Sequence, residues 1–217
     1  MLLERGVNSV NTVVDVKYFD DITVAFMNAL ELGYFDMVDL LLKKSQINPA
    51  ILNNGPIIYL VANEYTDAIK KLLEDPRVDP SDQDNEALMY ASDYGYLDIM
   101  DILLQDPRVD PSARGNHALD LAIGEDHLDI VKRLLQDPRF DPSTGIDDLH
   151  LALIEISQNE ETHLIAREII NLLLNNKKFS FYSQQNVRDA IEYAEDVGSM
   201  DIAQDLRDHA ESKGMYI

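Results

Sequence analysis

The 217-residue chain contains no cysteine, so disulfide bonds, thiolate metal sites and cysteine nucleophiles are excluded. It is also poor in positive charge, because 18 lysines and arginines stand against 40 acidic residues and give a net charge of −22. Such a charge repels both a phosphate backbone and an anionic membrane surface. We therefore expect neither a nucleic acid nor a membrane as the partner.

Long apolar runs are missing as well, and none approaches the roughly 18 residues that a membrane span needs. Residues 1–11 lack the apolar core of a signal peptide, since Glu4, Arg5 and Asn8 interrupt them. The absence of cysteine fits a reducing compartment. These features predict an intracellular, cytoplasmic protein, and 46% hydrophobic residues are enough to build a core.

A 31-residue repeat dominates the sequence. The heptapeptide Asp-Pro-Arg-Val-Asp-Pro-Ser begins at Asp75 and at Asp106, and a copy with phenylalanine in place of valine begins at Asp137. A weaker copy starts at Ile47. Two further columns keep the same step, namely Tyr34, Tyr65, Tyr96 and His127, and Asp36, Asp67, Asp98 and Asp129. Agreement at so many columns establishes an internal repeat.

Each repeat carries two apolar stripes of helical period. In the fourth repeat the stripes are Ala118, Leu119, Ala122 and Ile123, followed by Leu128, Ile130, Val131, Leu134 and Leu135. A tight turn at 124–127 separates them, and Pro138 ends the second helix because proline cannot continue the backbone hydrogen bonds. One helix–turn–helix–loop unit cannot close a core by itself, so the pattern predicts an all-α solenoid of stacked repeats.

We count about six repeats in a single domain over 1–217, beginning near Asp15, Ile47, Val78, Val109, Phe140 and Phe179. The corresponding ranges are 15–46, 47–77, 78–108, 109–139, 140–178 and 179–211, with the terminal repeats acting as caps. The fifth repeat is 8 residues longer than the others. We assign the surplus to Ser157–His163 and expect an exposed bulge between two helices. At the amino terminus, a short strand or an irregular helix is expected around Val10, Val13, Val14 and Val16.

The repeats resemble the ankyrin family, whose unit of about 33 residues contains a turn, two helices and a Thr-Pro-Leu-His-x-Ala motif. The best local match to that motif is residues 148–152, Asp-Leu-His-Leu-Ala. A second family signature, Gly-His-Leu-Glu-Ile-Val, is similar to residues 126–131, 95–100 and 33–38. The resemblance covers roughly residues 20–211. The shortened period and the Asp-Pro-Arg loop also resemble divergent arrays of amoebae and of the giant viruses that infect them.

The resemblance implies a non-catalytic protein-binding module that uses its loop tips, its concave helix face and the residues before each inter-helix turn. The expected contact positions are Asp82, Asp84, Glu86, Asp93, Tyr94, Arg114, Asn116, His117, Glu125, Asp147 and Asp148. Alternatives are a substrate-recruiting adaptor for host ubiquitin-ligase machinery, a structural spacer, or an enzyme with an unrecognised site. By the same resemblance, His150 hydrogen-bonds between loops.

The sequence offers no candidate cofactor, metal or catalytic site. No two of the five histidines have the i, i+4 spacing of a helical metal site. The acidic stretch that begins at Asp82 lacks the glycine and the closing glutamate of a calcium loop, since Ala87 and Asp93 hold those places. Glycine-rich phosphate loops and nucleophile motifs are likewise absent.

Residues 78–108 contain eight acidic residues and one basic residue, a net of −7. With Tyr94 beside them, these carboxylates suit a partner protein that presents a basic surface. The alternative is that the acidity only maintains solubility. The tyrosine column is open to two interpretations in the same way, either a binding ladder or rings that cover the junctions between repeats.

Overall fold

The computed structural model describes residues 21–43, 47–142, 160–176 and 184–217. These residues form eleven α-helices and no β-strand, so the prediction of an all-α fold is confirmed. The helices are α1 (Asp21–Glu31), α2 (Phe35–Lys43), α3 (Ile51–Ala62), α4 (Thr66–Leu73), α5 (Asp82–Asp93), α6 (Leu97–Leu103), α7 (Ala113–Gly124), α8 (Leu128–Gln136), α9 (Glu160–Asn175), α10 (Gln184–Asp196) and α11 (Met200–Ser212).

The helices belong to two compact units. The first unit comprises the described residues up to Ala91 together with Asp101–Val109. The second comprises Ser92–Met100 and the described residues from Asp110 onward. Helices α5 and α6 therefore each contribute residues to both units.

In the first unit, α1 packs against α2 and α4, and α3 packs against α4. Its core is built from the apolar stripes that the helical period places on one face. The largest side chains buried there are Phe26, Leu30, Ile57, Leu60, Ile69, Leu72, Leu88 and Leu103.

In the second unit, α7 packs against α8, α8 against α9, α9 against α11, and α10 against α11. Both apolar stripes predicted for the fourth repeat face the core of this unit. The buried residues include Ala118, Leu119, Ala122, Ile123, Ile130, Val131, Leu134 and Leu135. Asp129 lies in the first turn of α8, and the helix ends at Gln136, two residues before Pro138, as the sequence predicts.

Within the described residues, each turn between the two helices of a repeat contains one residue in the left-handed region. The column is Gly33, Glu64, Gly95, Asp126 and Gly198, with φ between 60° and 84°. Glycine takes this conformation freely, whereas a residue with a Cβ atom is strained in it by roughly 1–2 kcal/mol. The turn geometry is thus the same in all five places, although glycine occupies only three of them.

Replacing Glu64 with glycine should therefore stabilise the protein by about 0.5–1 kcal/mol, because it relieves the strain at a φ of 61°. The matched control is Gly33→Ala, since open space surrounds Gly33 and only its φ of 70° opposes the added methyl group. Gly33→Ala should lower the free energy of unfolding by a similar amount. Urea unfolding measures both, and a destabilised Glu64→Gly would show that the glutamate side chain outweighs the strain.

The Asp-Pro-Arg loop connects successive repeats within the first unit. Arg77 donates to the Asp75 carboxylate at 2.6 and 2.9 Å and to the carbonyl of Ile47, one repeat earlier, at 3.3 Å. Arg108 likewise donates to the carbonyl of Val78 at 2.9 Å. The hydrogen bond from Arg77 lowers the pKa of Asp75, although partial burial opposes the shift. The motif is therefore an inter-repeat clasp whose aspartate fixes the guanidinium.

The exposed bulge that we predicted for Ser157–His163 is wrong for residues 160–163, which are helical. Residues 157–159 lie outside the described part of the chain, but the helix α9 already begins at Glu160 and runs for 16 residues. The additional residues thus extend the second helix by about two turns. His163, in this extension, lies 3.2 Å from the Asp201 carboxylate of α11, so the segment makes a structural contact.

Candidate protein-binding surface

The acidic loop tip lies in the first unit, at the start of α5. Asp84 is exposed, whereas Asp82 and Glu86 are half-buried. The Asp82 carboxylate accepts hydrogen bonds from the side chain of Asn54 and from the backbone N–H of Gln83, both at 2.9 Å. Asp82 therefore stabilises the loop, and Asp84 is the carboxylate that is most available to a partner.

The loop tip has an unusual backbone, since Gln83, Asp84 and Asn85 all adopt left-handed conformations with φ of 53°, 56° and 66°. The equivalent residues of the next repeat, 114–116, repeat the turn with φ of 53°, 69° and 65°. Left-handed backbone is costly for residues other than glycine. It persists here because a buried asparagine ends each turn, and Asn54 occupies the same column one repeat earlier with a φ of 59°.

Asn54 shows what this asparagine column does. Its Oδ1 accepts the backbone N–H of Asp79 at 2.8 Å, and its Nδ2 donates to Asp82 at 2.9 Å. One side chain thus satisfies a backbone donor and a carboxylate of the following repeat. Asn116, which the sequence analysis placed among the contact residues, belongs to this column and is 0% exposed, so its side chain does not reach a partner. The missed signal was the 31-residue spacing of Asn54, Asn85 and Asn116.

Two other candidate residues, Asp93 and Tyr94, lie in the second unit and are half-buried. The Tyr94 ring stacks on Tyr96 with 5.6 Å between the ring centroids. Nε2 of His127 lies 3.1 Å from the backbone carbonyl of Asp93. Because a carbonyl only accepts, Nε2 carries the proton in this contact. The Asp93 carboxylate takes no part in it.

Gly95 makes this arrangement possible. A Cβ atom at Gly95 would lie 2.8 Å from the His127 ring, and the residue has a φ of 72°. The ring of His127 therefore packs against the glycine backbone and fixes the turn that presents Tyr94. His127 therefore has a structural role in this turn.

The remaining candidates show different degrees of exposure. Arg114 and Glu125 are exposed and His117 is half-buried, all in the second unit. Asp147 and Asp148 lie outside the described residues, as does His150. In the tyrosine column, Tyr34 is 58% exposed, while Tyr65 and Tyr96 are half-buried. Burial raises the pKa of Tyr65, and the negative charge of Glu31 adds to the shift.

Within the described ranges, no group of three or more histidines, aspartates and glutamates is placed to hold a metal ion. No helix of that part of the chain combines the length and the apolar character that crossing a bilayer requires.

Comparison with protein families identifies the class of the chain. A model of ankyrin repeats, comprising three copies, matches residues 26–114 and 57–148, which together span more than half of the chain. The chain therefore belongs to the ankyrin-repeat family. Ankyrin repeats are generally protein–protein interaction modules and are typically non-catalytic. A search of curated proteins finds no match.

Proposed function

We propose that this chain is a non-catalytic module that binds a partner protein with a basic surface. The observation that carries the proposal is the acidic loop tip of the first unit, where Asp84 is exposed on a turn held by buried Asn85 and by the Asn54–Asp82 hydrogen bond. A carboxylate fixed in this way loses little freedom on binding. Charged groups so placed steer a basic partner and raise the association rate.

A second surface, in the second unit, supplies an aromatic contact. Tyr94 has its ring stacked on Tyr96, and His127 packs beneath the turn between them. Tyrosine contributes large contact area at low entropic cost, which makes it frequent among binding hot spots. The side chains of Asp93, Arg114, His117 and Glu125 complete the set of contacts proposed for this unit.

The test begins with the full-length chain as bait in a native lysate, followed by binding kinetics with each purified partner. The double variant Asp84→Asn/Glu86→Gln should slow association roughly tenfold at low salt, and the difference should shrink as salt rises. The charge-matched control is Glu192→Gln/Glu211→Gln, which removes two exposed carboxylates from α10 and α11. We expect the control to bind like the wild type.

Tyr94→Ala should act on dissociation and weaken affinity by about 2 kcal/mol, the size of a hot-spot residue. If both the charge variant and Tyr94→Ala retain wild-type affinity and salt dependence, the acidity serves solubility and binding lies elsewhere. Recovery of ubiquitin-ligase subunits as the direct partner would support the adaptor alternative.

A further inference from the structure

The first unit contains an open cavity of about 580 Å³ beside the inter-helix turns of the first two helix pairs. Glu31, Leu32 and Phe35 line it from the first turn, and Glu64, Tyr65 and Asp67 line it from the second. None of these residues belongs to the acidic loop tip or to the Tyr94 surface. The cavity is thus a separate feature of the first unit.

The charge of this cavity has one sign. Its described lining contains three carboxylates, from Glu31, Glu64 and Asp67, and no lysine, arginine or histidine. One lining carboxylate has a basic neighbour, since Nζ of Lys70 lies 3.9 Å from Asp67 in an exposed pair. Exposed pairs of this kind are weak and exchange readily with other partners. The cavity therefore favours a cationic ligand.

One of the three carboxylates influences a neighbouring tyrosine of α3. Burial raises the pKa of Tyr59, and the negative charge of Glu31 raises it further. The tyrosine beside this carboxylate is therefore neutral and adds no charge to the cavity.

Apolar side chains stand at the edge of the same cavity. Leu32 is 60% exposed, and Tyr34, one of the residues that line an adjoining hollow, is 58% exposed. Met37 and Leu40 continue the exposed apolar surface along α2. Grouped exposed apolar residues that are rimmed by charge are typical of interaction sites. The ligand therefore needs an apolar group next to its cations.

Charge distinguishes among the possible occupants. A second copy of this chain carries a net of −22, which opposes docking on an acidic cavity. The chain's own residues 1–20 contain three acidic and two basic residues, a net of −1, and so lack the required charge. We infer that the cavity binds a segment of a partner protein in which one apolar side chain is flanked by arginine or lysine.

The test uses the full-length protein and a defined probe, the peptide Gly-Arg-Gly-Arg-Leu-Arg-Gly-Arg-Gly. In ¹H–¹⁵N NMR titrations the peptide should shift the amide signals of residues 30–36 and 64–68. Replacing its leucine with serine should weaken binding roughly fivefold, and replacing its arginines with glutamate should abolish it. Absence of shifts at these turns, or equal binding of the serine peptide, would overturn the inference.

A matched pair of protein variants separates the cavity from the net charge. The cavity variant is Glu31→Gln/Glu64→Gln/Asp67→Asn, which removes the three negative charges of the lining and nearly preserves the size of each side chain. The control variant, Glu192→Gln/Asp208→Asn/Glu211→Gln, removes three exposed carboxylates of the second unit that belong neither to the cavity lining nor to the loop tip or the Tyr94 surface. Peptide affinity should fall roughly tenfold in the first and less than about twofold in the second. Equal losses would show a response to net charge alone.

A second copy of the chain is the other possible occupant of the cavity. Sedimentation of the wild type and of Leu32→Asp tests for it. Both should have the same oligomeric state, and dissociation of an oligomer by Leu32→Asp would assign the cavity to a second copy. The inference does not rest on the acidic loop tip, because the cavity variant leaves the carboxylates of Asp82, Asp84 and Glu86 in place.

Discussion

Leu134→Ala should lower the free energy of unfolding by about 2–5 kcal/mol, the range for removing a buried leucine side chain and leaving a cavity. Leu134 is 0% exposed on α8, and Ile130, Val131 and Leu135 are buried on the same face. Helix α8 packs against both α7 and α9, so a cavity here weakens two helix contacts of the second unit. Urea unfolding followed by circular dichroism gives the value.

The control for this prediction is Gln136→Ala, at the exposed last residue of the same helix. It should change stability by less than about 0.5 kcal/mol, as surface substitutions usually do. If Leu134→Ala lowers the free energy of unfolding by less than about 0.5 kcal/mol, the Leu134 side chain does not lie on the buried face of α8.

Asn54→Ala should lower the free energy of unfolding by about 3 kcal/mol, an unusually large effect for a polar residue in the first turn of a helix. Asn54 is only 4% exposed, and alanine removes the acceptor of the Asp79 N–H and the donor to Asp82. A buried donor left without an acceptor costs about 1–3 kcal/mol. Alanine also lacks the local hydrogen bonds with which asparagine tolerates the φ of 59°.

Two further variants divide this cost between its causes. Asn54→Gly keeps the left-handed backbone but loses both hydrogen bonds, so it should lose less than Asn54→Ala. Asn63→Ala is the exposed control, because the side chain of Asn63 donates only to the nearby carbonyl of Tyr59 in water-accessible surroundings. If Asn54→Ala is as mild as Asn63→Ala, the asparagine column does not stabilise the loops.

The sequence predicts the helices well because burial imposes a period that survives in every repeat. The apolar stripes of α7 and α8 and the end of α8 before Pro138 follow from spacing and from the chemistry of proline alone. The length of α9 does not follow from the residue spacing. Glu160–His163 are polar, and polar residues are compatible with either a loop or an exposed helical turn. What decides between them is the contact of His163 with Asp201, 38 residues away.

The candidate surface was predictable only in part. Exposure of Asp84 and Glu125 follows from their charge, whereas the 0% exposure of Asn116 does not follow from its residue type. Asparagine is mostly exposed in proteins, and at the equivalent position Asn54 a backbone donor and a carboxylate of the following repeat make the burial favourable. The acidic cavity was not predicted from the sequence for a similar reason. Glu31 and Glu64 are 33 residues apart, and only the packing of the two turns brings them together.

The arginine clasp has a consequence for how such a chain changes in length. Arg77 donates to the carbonyl of Ile47 and Arg108 donates to the carbonyl of Val78, so each of these two arginines connects its repeat to the preceding one through a backbone atom. Duplicating one such repeat in the gene leaves both halves of every connection present. Arrays built on this clasp can therefore gain or lose whole segments by recombination, and each event adds or removes one loop tip for a partner without any compensating substitution.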